Sequence, residues 1–77
     1  MQNLKYIVAK VEGLEQIVIF SPTFVHSEMA RKVGGPVLGA GFVHWEAQEC
    51  YGQSISLGIE SREEDTNLLK RRINPYA

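Results

Sequence analysis

The segment IVIFSPTFVHSEMARKV, Ile17 to Val33, decides the fold because it joins an apolar strand to an amphipathic helix. The run Ile17 to Phe20 is typical of a strand buried on both faces. Ser21 is a favoured helix cap and Pro22 suits the first helical position, so the helix is expected to begin at residue 22. Gly34-Gly35-Pro36 is a typical helix end.

A second strand-to-helix unit, Leu57 to Ile73, repeats this arrangement forty positions further along the chain. Ser61 and Glu64 form a capping-box pattern at the start of its helix, and Asn74-Pro75 would end it. Two units are too few for a solenoid. We therefore predict one domain, residues 1–77, with pseudo-symmetric halves at about 4–33 and 42–73. Any two strand-to-helix units resemble each other to a similar degree, so the alternative is that no repeat exists.

Four strands are predicted from runs of β-branched and apolar residues. The first two, Leu4 to Val11 and Gln16 to Phe20, are joined by a turn at Gly13 and are apolar on both faces. The third and fourth, Phe42 to Cys50 and Gln53 to Ile59, alternate between apolar and polar residues. The second pair is therefore expected to have one face in contact with water.

The predicted order is β-β-α-β-β-α, an α+β fold with a four-stranded, largely antiparallel sheet and two helices packed on one face. The other face would then expose apolar side chains from the first two strands, and such a patch on a small protein usually marks an interaction surface. We therefore expect a small non-enzymatic interaction module that binds itself as a homodimer or binds another protein. The expected partner-binding residues, or their alternates if the register differs, are Tyr6, Val8, Val18, Phe20, Phe42, His44 and Glu46.

The composition is that of an ordinary globular protein, with 44% hydrophobic residues, 22% charged residues and a formal charge of −1. The longest apolar runs are too short to cross a bilayer and the N-terminus has no signal-peptide pattern, so we expect a cytoplasmic protein without a membrane segment. Cys50 is the only cysteine, which excludes an internal disulfide and a thiolate zinc site. No cofactor or metal is expected. The size and the lack of a defining motif are typical of small accessory proteins of bacteria and phages.

A nucleic-acid-binding accessory protein is the alternative function, based on cations near the C-terminal ends of both helices. If these residues gathered at one end of the domain they could contact phosphates. Complementation of the helix dipoles explains the same charges without any ligand. The residues concerned are Arg31, Lys32, Lys70, Arg71 and Arg72.

An enzyme is the third possibility, because His44 and Glu46 lie two residues apart on a predicted strand and would share a face. A flat, open sheet gives little exclusion of water and little perturbation of pKa values, which disfavours catalysis there. The His-x-Glu pair also occurs in zinc deaminases, but the Pro-Cys-x-x-Cys motif which they require is absent. No catalytic residue is therefore assigned.

Overall fold

The computed structural model describes residues 3–73. The predicted helix end at Asn74-Pro75 lies outside these residues. The elements in chain order are β1 (Leu4–Val11), β2 (Leu14–Phe20), α1 (His26–Val33), β3 (Val37–His44), β4 (Glu49–Tyr51), β5 (Gln53–Ser54), β6 (Ile59–Glu60) and α2 (Glu63–Ile73).

The main sheet has four strands in the order β2-β1-β3-β4, and every neighbouring pair is antiparallel. The α+β class and the four-stranded antiparallel sheet are confirmed. Strand β1 lies in the interior of the sheet, and the side chains from Tyr6 to Ala9 are completely buried. Strand β2 is an edge strand of seven residues, whereas the other edge strand, β4, has only three.

The two helices pack on opposite faces of the sheet, and the prediction that they share one face is wrong. Tyr6 and Val8 pack with Leu69 of α2 in one hydrophobic cluster. Ile7, which points to the other side of β1, packs with Met29 of α1 in a second cluster. Because β1 and β2 are apolar on both faces, burying both sets of side chains requires cover on both sides, and each helix supplies one side.

Helix α1 begins at His26, four residues later than predicted. Ser21 caps a turn instead of the helix: its carbonyl accepts a hydrogen bond from the Phe24 amide at 3.1 Å, and its Oγ accepts one from the Thr23 amide at 3.3 Å. Val25 is extended, with φ −88° and ψ 137°. Such local bonds to a serine compete with helix formation, and here the turn is formed instead of the first helical turn.

Strand β3 begins at Val37, in a glycine-rich segment which precedes the predicted strand start at Phe42. Gly39 and Gly41 pair with Val8 and Tyr6 on the face covered by α2. A Cβ atom at Gly39 would overlap the Asp65 carboxylate of that helix. The glycine therefore allows the N-terminal turn of α2 to approach the sheet closely.

The predicted fourth strand, Gln53 to Ile59, is interrupted and does not belong to the main sheet. The chain turns after β4 at Gly52, whose φ is 78°, and β5 and β6 form a separate small hairpin. Ser54 Oγ accepts a hydrogen bond from the Leu57 amide at 3.2 Å, and Gly58 has φ 67°. These two features stabilise a tight turn in a segment whose alternating pattern is typical of a strand.

Candidate functional site

The free edge of β2 is the longest unpaired backbone edge in the described part of the chain. Glu12 and Gly13 both have positive φ, as a type I′ hairpin turn requires, and Val11 and Leu14 are paired across the turn. In such a hairpin, hydrogen-bonded residues alternate with residues that direct their amide and carbonyl groups away from the partner strand. From this register, the outward-directed residues of β2 are Glu15, Ile17 and Ile19.

An open groove runs between the β2 edge and the C-terminal half of α2, and we call it the β2–α2 groove. It consists of a cleft of about 360 Å³ and a neighbouring cleft of about 410 Å³. Arg72 lines both clefts. The other residues of the first are Leu14, Glu15, Gln16, Ile17, Leu68 and Arg71, and those of the second are Gln16, Ile17, Val18, Ile19, Trp45 and Ile73.

The walls of the β2–α2 groove are basic and its remaining surface is largely apolar. Arg71 and Arg72 are exposed, and within residues 3–73 no carboxylate lies within 4.0 Å of either guanidinium group. Glu15 is already paired, because its carboxylate lies 3.0 Å from Arg62 Nη2. Leu14 and Trp45 are among the exposed large hydrophobic residues of the protein. The groove therefore combines unpaired backbone groups, apolar side chains and two arginines.

A buried polar network fixes α2 on the sheet beside this groove. Asp65 is fully buried and accepts a hydrogen bond from the Tyr6 hydroxyl at 2.6 Å. Arg62 donates to the same carboxylate from its backbone amide at 3.0 Å and from Nε at 2.9 Å. Arg62 also pairs with Glu15, so the network connects β1, β2 and the start of α2. Every buried side-chain nitrogen or oxygen in the described residues has a partner.

Burial beside this network favours the protonated forms of Cys50 and Tyr6. Burial raises the pKa of Cys50 to about 11, and the nearby Asp65 charge adds to this effect. Burial also raises the pKa of Tyr6, as do its hydrogen bond to Asp65 and that residue's charge. The thiolate is the nucleophilic form of a cysteine, so at neutral pH Cys50 is held in its unreactive form. This arrangement is suited to packing the helix and not to nucleophilic catalysis.

A second open cleft, of about 480 Å³, lies on the α1 side of the sheet. His26 at its base is 5% exposed and lies between Phe20 and Phe42, with both ring centroids 5.6 Å away. Its Nε2 donates a hydrogen bond to the Gly41 carbonyl at 2.8 Å. The histidine is thus engaged in holding α1 on the sheet. The remaining lining residues are Lys5, Val25, Tyr51, Gly52, Gln53, Ile55 and Ser56.

The structure does not form the apolar face that the sequence predicted for partner binding. Tyr6 and Val8 are completely buried beneath α2, and Phe20 is buried on the other side of the sheet. Val18 and Phe42 are half-buried. The reason is the position of the helices, since one helix packs on each face of the sheet.

The predicted His44–Glu46 pair is exposed but does not lie on one strand. His44 is the last residue of β3, and Glu46 belongs to the following turn. His44 Nδ1 accepts a hydrogen bond from the Ala47 amide at 3.3 Å, which stabilises that turn. The strand geometry on which the catalytic possibility depended is therefore absent here.

The five predicted nucleic-acid-binding cations do not share a face of the sheet. Arg31 and Lys32 belong to α1, whereas the other three belong to α2 on the opposite side. Lys32 lies over the Phe24 ring, 5.8 Å from its centroid. Of the five, Arg71 and Arg72 line the clefts beside the β2 edge, and the other three do not.

The β2–α2 groove was not predicted from the sequence. The available signal was the length and two-sided apolar character of β2, which is typical of a strand covered from both sides. Strand order decides whether such a strand has a free edge, and the sequence did not give that order.

Among residues 3–73, no helix is long and apolar enough to cross a membrane, and no group of side chains is arranged to hold a metal ion. Comparisons with family models, curated proteins and solved structures give no match for this chain.

Proposed function

We propose that this protein is a small non-enzymatic interaction module that binds another polypeptide by strand addition to the β2 edge. The observation that carries the proposal is the free seven-residue edge of β2, which adjoins the β2–α2 groove. An added strand would pair with the outward amide and carbonyl groups, and its alternate side chains would enter the groove. This relocates the predicted partner surface from a sheet face to a sheet edge.

The length and character of the edge support this function. Natural proteins usually protect edge strands by shortening them, by adding prolines or inward-pointing charges, or by covering them. Strand β4 is short, but β2 contains the run IVIF, and the part of the edge that carries Ile17 and Ile19 has no charged residue or proline. Such an edge is a template for pairing with another chain. A partner strand would satisfy these backbone groups and cover the neighbouring apolar side chains.

The test compares two substitutions at Glu15. Proline removes the outward-directed amide of this residue, and edge strands tolerate proline at such a position. Both Glu15→Pro and Glu15→Ala lose the ion pair with Arg62 at 3.0 Å, but only the proline variant also loses the backbone N–H donor. The alanine variant is therefore a matched control. Circular dichroism is used to check that both variants are folded.

Wild-type protein and both variants are used as baits in nuclease-treated lysate of the source cell, and the captured proteins are identified by mass spectrometry. We expect a stoichiometric partner that binds the wild type and Glu15→Ala and is lost with Glu15→Pro. Light scattering tests self-association in the same way, and a dimer that only the proline variant dissociates also supports edge pairing. Equal capture by all three baits, or no capture together with a monomer at all concentrations, contradicts the proposal.

A further inference from the structure

We infer that the occupant of the β2–α2 groove is an acidic, extended segment of another protein, with a carboxylate that pairs with Arg72. This inference rests on the proposed strand addition and names the chemistry of the partner. Charge complementarity carries it, since two exposed arginines line the groove and its one acidic lining residue is already paired with Arg62. A strand placed beside β2 would bring its side chains to this basic wall.

The position of Arg72 indicates where the acidic residue would lie. Ile17 and Ile19 point to the face covered by α2, and a partner residue opposite either of them points to the same face. Arg72 lines both clefts and therefore stands near the middle of the groove. A central carboxylate would meet Arg72, while flanking apolar side chains would meet Leu68 at one end and Trp45 at the other.

A second copy of this chain fits the groove less well than an acidic segment. Helix α2 crosses the sheet from β4, where Thr66 Oγ1 accepts a hydrogen bond from the Cys50 amide at 3.0 Å, to the β2 edge. Antiparallel pairing of two β2 edges has a two-fold axis perpendicular to the sheet. Both α2 helices would then lie on the same face with their basic C-terminal ends near the axis. Arg71 and Arg72 would face the same residues of the other copy, and like charges at close range disfavour this arrangement.

The groove is also less suited to nucleic acid than to an acidic strand. Binding to a phosphate backbone depends on several lysine or arginine contacts. Here the cations of α1 are on the far side of the sheet, which leaves Arg71 and Arg72 as the cations that line the groove. Apolar side chains and unpaired strand backbone match a polypeptide in extended conformation.

The experiment titrates the ¹⁵N-labelled full chain with blocked seven-residue peptides up to millimolar concentration and follows its amide resonances. In the first peptide, the groove-facing positions are leucine, glutamate and leucine, with threonine at the others. Two further peptides replace the glutamate with glutamine or lysine. The proteins are the wild type, Arg72→Glu, Glu15→Pro and Arg31→Glu. The last makes the same charge change at an exposed arginine of α1 and is the matched control.

We expect the glutamate peptide to shift β2 amide resonances of the wild type and to bind about twofold to fivefold more tightly than the glutamine peptide, as for an exposed ion pair. Arg72→Glu should reverse the preference, so that the lysine peptide becomes the tighter ligand, and Arg31→Glu should leave the order unchanged. Glu15→Pro should weaken binding of every peptide. Peptides that bind with no dependence on charge, but are lost with Glu15→Pro, would overturn the acidic partner and retain strand addition.

Two other outcomes overturn the inference for different reasons. Absence of β2 shifts with any peptide, or binding unaffected by Glu15→Pro, removes the proposed function together with the inference. An oligothymidylate of twelve nucleotides is titrated in parallel. Tighter binding of this oligonucleotide than of the glutamate peptide, lost with Arg72→Glu, would assign the basic wall to nucleic acid instead.

Discussion

The hydrogen bond between Tyr6 and Asp65 is the contact whose loss can be predicted most directly. The Tyr6 hydroxyl lies 2.6 Å from Asp65 Oδ2, and both residues are completely buried. Tyr6→Phe removes only the hydroxyl and leaves the ring in place. A hydrogen bond to a charged group contributes about 1.5 to 3 kcal/mol to stability. A chain of this length has a total unfolding free energy of about 4 to 12 kcal/mol, so the loss is a substantial part of it.

Thermal denaturation followed by circular dichroism measures this effect. For a domain of this size each kcal/mol lowers Tm by about 4 to 8 °C, so Tyr6→Phe should lower it by about 6 to 24 °C. Tyr51→Phe makes the same chemical change at an exposed tyrosine and is the control. In an Asp65→Asn background the cost of Tyr6→Phe should be smaller, because the carboxylate that accepts the bond has been removed.

A decrease in Tm no larger than that of Tyr51→Phe would refute the reasoning. It would mean that the Tyr6 hydroxyl makes no net contribution to the free energy of unfolding. The hydrogen bond to Asp65 would then not stabilise the packing of α2 on the sheet. An undiminished cost in the Asp65→Asn background would instead show that the hydroxyl stabilises the fold through another group.

Three further predictions test the remaining contacts. Gly39→Ala should destabilise the protein by about 1 to 3 kcal/mol in urea denaturation, because the added methyl group overlaps the Asp65 carboxylate and overpacked sites typically cost this much. A change below about 0.5 kcal/mol would contradict the close approach of α2 to the sheet. His26→Phe should cost about 1 to 3 kcal/mol in the same assay, because the buried Gly41 carbonyl loses its donor, whereas stability equal to the wild type would show that the carbonyl finds another partner. The pKa of Cys50 is raised from 9.0 to about 11, so its contribution to stability is complete below pH 9 and is lost as the pH rises from 9 to 11. Urea midpoints across this range should fall less steeply for Cys50→Ala, with Tyr6 responsible for part of the remaining slope, and identical slopes would contradict the burial of the thiol.

Local sequence signals predicted the elements that depend on neighbouring residues. The apolar runs identified β1 and β2, and Gly13 marked the turn between them. Helix α2 was predicted in part from its charges, which are acidic in the first turn and basic in the last turn, as the helix dipole favours. The predictions were wrong where the same local sequence pattern is compatible with two different structures. Ser21 stabilises a turn instead of a helix start, and the alternation after Gly52 belongs to a small hairpin outside the main sheet.

The sequence by itself determined that the first hairpin has apolar side chains on both of its faces, because a side-chain period of two assigns each apolar residue of β1 to one face or the other. Only the tertiary structure decided which helix covers which face, since that depends on how the connections cross the sheet and not on residues within the strands. Strand order placed β2 at an edge, and the positions of the helices buried Asp65 and His26 and separated the cations of α1 from those of α2. The proposed binding site is a product of this arrangement, because strand order determines which backbone groups remain unpaired.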